Sequence, residues 1–150
     1  MKFPFGRIRP MSGALLFLLL LLACAPQPRL NEDSNSAAAG PAAALGIEIV
    51  GLHLSSGGYM LDFRYKVRDA ARAAPMIDHA LIPYLIHEES GAKFAVPAPV
   101  KVGPMRQMPR QLEAGRQYFI FFANPGRFVK AGDFVTIVHG SYRFEHLRVE

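Results

Sequence analysis

Between Tyr59 and Arg68 two sets of side chains alternate without a break. Tyr59, Leu61, Phe63, Tyr65 and Val67 fall on one side of an extended chain, and Met60, Asp62, Arg64, Lys66 and Arg68 on the other. A period of two gives a strand with one buried and one wet face, and it cannot line a single stripe of a helix. Ile47, Ile49 and Leu52 mark a preceding strand, ended by Ser55-Ser56-Gly57-Gly58. Leu81 to His87 reads as another, with Pro83 suggesting an edge or a bulge because proline lacks a ladder donor. Glu89-Ser90-Gly91 turns the chain into Ala92–Val96. Arg116 to Ala123 follows, closed by Asn124-Pro125-Gly126-Arg127, which fits a type II turn with Gly126 at positive φ. Phe134–His139 and Tyr142–Val149 form the last pair, and Gly140-Ser141 suits a type II′ hairpin tip. Asp69 to His79 holds at most a helical turn, favoured by its alanines and stopped by Pro75. About seven short strands with almost no helical periodicity indicate an all-β chain folded as a β-sandwich.

No disulfide supports this sandwich, because Cys24 is the only cysteine. It ends an apolar run, Gly13–Ala23, preceded by Lys2, Arg7 and Arg9 with no acid among the first 23 residues. Eleven residues fall well short of the ~30 Å of a bilayer core at about 1.5 Å per residue, so the pattern is that of a cleaved secretory signal. Leu21-Leu22-Ala23-Cys24 resembles the lipobox of bacterial lipoproteins. That resemblance implies a signal peptide over 1–23, and a diacylglyceryl group and an N-acyl chain on Cys24. Ala25, where an aspartate would retain the protein, further implies the periplasmic face of the outer membrane. Two or more acyl chains anchor stably where one does not.

The mature chain, 127 residues from Cys24 to Glu150, has room for one domain. Of 17 basic side chains three belong to the signal, so the mature part carries 14 against 12 acids. With that near balance the overall pI says little about nucleic acid, and the export address argues against it as a partner. Residues 24–45 read as the lipidated cysteine and a flexible linker: Pro26, Pro28, Gly40 and Pro41 break helix, and Asn31 to Ser36 is polar throughout. The sandwich then occupies 46–150. In strand count it resembles an immunoglobulin-like domain, without the Cys…Trp…Cys hallmark, since the chain has no tryptophan. It is also similar to uncharacterised bacterial lipoprotein domains ending in a Gly-Asp-x-Val-Thr-x-Val strand, here Gly132 to Val138. Neither likeness implies site residues.

There is no Gly-rich phosphate loop, no His-Glu-x-x-His and no Gly-x-Ser-x-Gly elbow, so the reading is non-enzymatic, with no cofactor beyond the lipid. With Gly140-Ser141 as the tip, Val135 faces His146 and His139 faces Tyr142. Both histidines then share a face about 13 Å apart, too far for one zinc. The best binding candidate is Pro97–Gly115, a long Pro-rich segment carrying Lys101, Met105, Arg106, Met108 and Arg110. Its basic groups suit an acidic envelope partner or anionic headgroups, and otherwise the segment is a crossover between sheets. Met105 and Met108 offer soft thioethers, which gives an alternative as a periplasmic copper-binding protein using a histidine as well. Tyr118 to Phe122 is apolar on both faces, so Phe119 and Phe121 are either covered by the crossover or exposed to a partner. The expectation is a lipid-anchored envelope protein whose sandwich plays a non-catalytic binding or structural role toward an unidentified envelope protein partner; an unrecognised envelope enzyme, with Ser, His and carboxylate converging in space, is a third reading.

Overall fold

The computed structural model describes residues 36–150, so the signal, Cys24 and the linker up to residue 35 lie outside the described residues. Among the described residues the architecture is all-β, with two antiparallel sheets and one short α-helix. Strands β1 (Ile47–Ser55), β2 (Met60–Val67) and β5 (Gln117–Ala123) form one sheet in the order β1-β2-β5. Strands β3 (Tyr84–His87), β4 (Lys93–Ala95), β6 (Phe134–His139) and β7 (Tyr142–Arg148) form the other in the order β4-β3-β6-β7.

The alternation in β2 is realised: Leu61, Phe63, Tyr65 and Val67 are fully buried, while Tyr59 lies before the strand and is exposed. Tyr118, Ile120 and Phe122 join them from β5, and Leu85, Ile137 and Phe144 come from the facing sheet. Phe63 meets Phe144 across the sheets with ring centroids 6.1 Å apart. This shared core makes the two sheets a sandwich. Val149 does not extend β7. Instead Glu150 N–H donates to Leu52 O and Leu54 N–H to Glu150 O, both at 2.9 Å, closing one edge between the sheets.

Several local expectations are corrected. The last part of the stretch read as linker, Ser36–Ala44, forms helix α1 despite Gly40 and Pro41. Ala38, Ala42 and Leu45 are buried where α1 packs on β1 and β7. Small side chains leave no apolar stripe to read in the sequence, so the burial that orders them comes from the sandwich edge. Gly46 turns α1 into β1 at φ +62°, with Asp69 O only 2.9 Å from where a Cβ would stand. Pro83 is not inside a strand. β3 begins one residue later and is central, between β4 and β6. Pro75 falls within a 3-10 turn, Ala74–Ile77, rather than ending a helix, since its fixed φ suits the first turn. The β6–β7 tip has Gly140 at φ +60°, as a II′ turn requires. The register holds for His139↔Tyr142 and Ile137↔Phe144, then a bulge pairs Val135 with Leu147 instead of His146. His146, at φ +60°, is the displaced residue, so the two histidines separate: His139 is fully buried and the His146 side chain is 55% exposed.

Candidate functional site

The sequence-predicted residues disperse. Lys101 and Arg110 are exposed, and Met105 and Met108 are half-buried, Met105 packing against the core. Arg106 points inward: its Nη1 donates to Leu81 O at 2.8 Å and its Nη2 to Asp78 O at 3.1 Å. It is therefore withheld from an acidic partner and serves to pin the Pro-rich segment onto the β2–β3 connection. His139 Nε2 donates to Pro75 O at 2.7 Å near this cluster, and burial pulls the ring below the ordinary histidine range.

The Pro-rich segment neither floats free nor lies across the outer face of β5. It pairs along the β5 edge, with Phe121 N–H donating to Met105 O (2.9 Å) and Gln107 N–H to Phe119 O (3.1 Å) around an Arg106↔Ile120 bridge. Phe119 and Phe121 stay half-buried on the outer face of the β1-β2-β5 sheet, their centroids 4.9 Å apart. The register sets Arg64 opposite Phe119, Asp62 opposite Phe121 and Lys66 opposite Gln117. Arg64 Nε and Nη2 both donate to Asp62 Oδ2 at 2.8 Å, a bond that raises the guanidinium pKa further. Gln107 Oε1 accepts from Phe119 N–H at 3.1 Å. A recess of about 300 Å³ is lined by Arg64, Gln107, Gln117, Tyr118 and Phe119. On the other flank His53 lies over Gly51, where any Cβ would come within 2.6 Å of its Nε2, and pairs through Nδ1 with Glu150 at 3.1 Å.

Sequence reasoning found Phe119 and Phe121 but missed Asp62, Arg64, Gln107 and Gln117. The alternation does place Asp62 and Arg64 on the outer face. Which residues of β5 and of the Pro-rich segment stand beside them is fixed only by cross-strand register.

A second cluster sits at the opposite sheet. Ser90 Oγ lies 2.8 Å from His87 Nδ1, and His87 Nε2 lies 3.3 Å from Asp133 Oδ2. Serine, histidine and carboxylate thus converge, as the third reading required. The Ser90 backbone N–H also donates to Nδ1 at 3.3 Å, so Nδ1 is the acceptor and Nε2–H faces Asp133. Beside it a cleft of about 420 Å³ is lined by His87, Glu88, Glu89, Asp133 and His146, but not by Ser90. An oxyanion forming there would meet three carboxylates, the reverse of what acyl transfer needs. The chain of bonds instead locks the β3–β4 turn, which Gly91 N–H closes onto His87 O at 2.8 Å.

Glu88 has a parallel task at the bulge. Its Oε1 accepts from Thr136 Oγ1 and from the His146 N–H, both at 2.8 Å, and its Oε2 lies 3.0 Å from His146 Nδ1. Burial alone pushes this carboxyl up, but the hydrogen bonds from His146 and Thr136 outweigh it and the net shift is downward. Among the described residues no group of three or more His, Cys, Asp or Glu side chains is placed to hold a metal ion, and no helix is long and apolar enough to cross a membrane. Comparison with protein-family models, with curated proteins and with solved structures gives no match.

Proposed function

We propose that this chain is a lipid-anchored protein of the cell envelope whose β-sandwich binds a partner or ligand without turning it over. The observation that carries this reading is the outer face of the β1-β2-β5 sheet. There two half-buried phenylalanines, their rings tilted at 52° to each other, stand beside a paired Arg64–Asp62 and a polar recess. Such a combination of aromatic surface and few convergent polar groups is what binding sites are made of. The address rests on Leu21-Leu22-Ala23-Cys24 and its basic, apolar lead. The outer-membrane periplasmic face rests on Ala25.

The fold is immunoglobulin-like on this reading. Support comes from the order β1-β2-β5 against β4-β3-β6-β7, in which the chain crosses between sheets after β2, β4 and β5, as in a Greek key.

The test is expression of the full chain in a Gram-negative host with labelled palmitate. The wild-type chain takes up label and sediments with the outer membrane. Cys24→Ser loses both while its thermal unfolding is unchanged. Retention of label in Cys24→Ser, or ester hydrolysis by the purified chain that Ser90→Ala abolishes, overturns the reading.

A further inference from the structure

We propose that the recess beside Phe119 on the outer face of the β1-β2-β5 sheet binds an uncharged saccharide chain. The proposal rests on the reading of the domain as a binding module and names its ligand class. Arg64, Phe119 and Gln107 lie in one row across β2, β5 and the Pro-rich segment, with Gln117 in the next row. Arg64 and Gln107 are fixed yet keep hydrogen-bonding capacity to spare. Arg64 spends Nε and Nη2 on Asp62, leaving Nη1. Gln107 is oriented by its Oε1 bond to Phe119 N–H, leaving its amino group free to donate. Gln117 is exposed beside them. Asp62, which holds Arg64 from outside the recess lining, is 6% exposed and its Oδ1 has no partner, so this buried charged acceptor stands one donor short.

Charge selects the ligand class. Asp62 neutralises Arg64, and Glu48 pairs with Arg68 further along the sheet. Lys66, opposite Gln117, and Glu150, held at the β1 edge beside His53, leave the face without net sign. The one charged side chain lining the recess, Arg64, is neutralised by Asp62, so neither an anion nor a cation finds an unpaired counter-charge inside it. Planar amide and guanidinium groups instead match vicinal hydroxyls, which donate and accept side by side. The C–H face of a pyranose packs on the electron-rich face of an aromatic ring such as Phe119. An extended peptide adding to the sheet is disfavoured, because the β5 edge it would need is already paired with residues 105–107. The recess, about 300 Å³, has the scale of a small-ligand site.

The experiment titrates the detergent-solubilised full chain with N-acetylglucosamine tetramer and with maltotetraose, read by calorimetry. Vesicles of phosphatidylglycerol and a basic and an acidic decapeptide form the competing arms. Saturable binding of at least one saccharide is expected, weakened about threefold to tenfold by Gln117→Ala and about tenfold or more by Phe119→Ala. Gln117 is exposed, so that variant folds even if Phe119→Ala does not. Absence of saturable binding by both saccharides, affinity unchanged in a folded Gln117→Ala, or tighter binding of either peptide, or of vesicles by the anchor-free Cys24→Ser chain, overturns the proposal. Palmitate labelling of Cys24 reads the anchor separately, so failure of the saccharide site leaves that reading intact.

Discussion

Asn124→Ala is predicted to be among the most damaging single changes outside the hydrophobic core. Asn124 is fully buried, and its carboxamide makes three hydrogen bonds. Nδ2 donates to Gly58 O and to Val129 O, both at 2.8 Å, and Oδ1 accepts from Val129 N–H at 2.9 Å. One amide thereby ties the β1–β2 turn to the β5–β6 connection. Truncation leaves two carbonyls and one N–H without partners in a buried site. Each net bond is worth about 1 kcal/mol, and a buried group left unpaired costs about 1–3 kcal/mol. Allowing water to reach part of the vacated space, the loss sums to about 3–5 kcal/mol. A domain of this kind has about 5–15 kcal/mol in all. The melting temperature is expected to fall by about 10–20 °C. Urea unfolding at constant m-value measures the loss, and amide exchange at Val129 locates it. Asn124→Asp is expected to fare no better, since it removes both donors and buries a charge. A loss below about 1 kcal/mol for Asn124→Ala, with Val129 still protected, refutes the reasoning.

The remaining predictions concern the Arg106–His139 cluster and the Glu88 contacts at the bulge. Burial holds folded His139 below the ordinary histidine value; the Pro75 bond and Asp78 oppose that, and Arg106 adds to it. As pH falls the unfolded chain takes the proton first, so stability is full above about pH 6.5 and declines below it. His139→Gln is expected to flatten that slope in urea midpoints measured from pH 7 to 5. The depressed Glu88 carboxyl acts in a lower window: its contribution is present above the ordinary carboxylate range and disappears only as pH falls through its folded value. Arg106→Met strips charged donors from Leu81 O and Asp78 O, which should cost about 2–3 kcal/mol and open the 97–115 segment to limited proteolysis. Proteolysis unchanged from wild type would show that the segment is held by other contacts.

Period-two alternation is a property of neighbouring residues, so the sequence alone determined the strands, the glycine-bearing turns at 126 and 140 and the all-β class. The lone Cys24 likewise excluded a disulfide within the domain. Phe119 and Phe121 were also legible, because a strand apolar on both faces signals itself locally. What only the tertiary structure decided depends on groups distant in the chain. Arg106 reads as a solvated loop charge, yet two carbonyls 25 and 28 residues away turn it inward. The bulge at His146 is held by Glu88, 58 residues earlier. Helix α1 forms because β1 and β7 bury a face too small to order itself. The row of Arg64, Phe119 and Gln107 exists only through cross-strand register, which follows from where the whole core finds its packing minimum and not from any one segment.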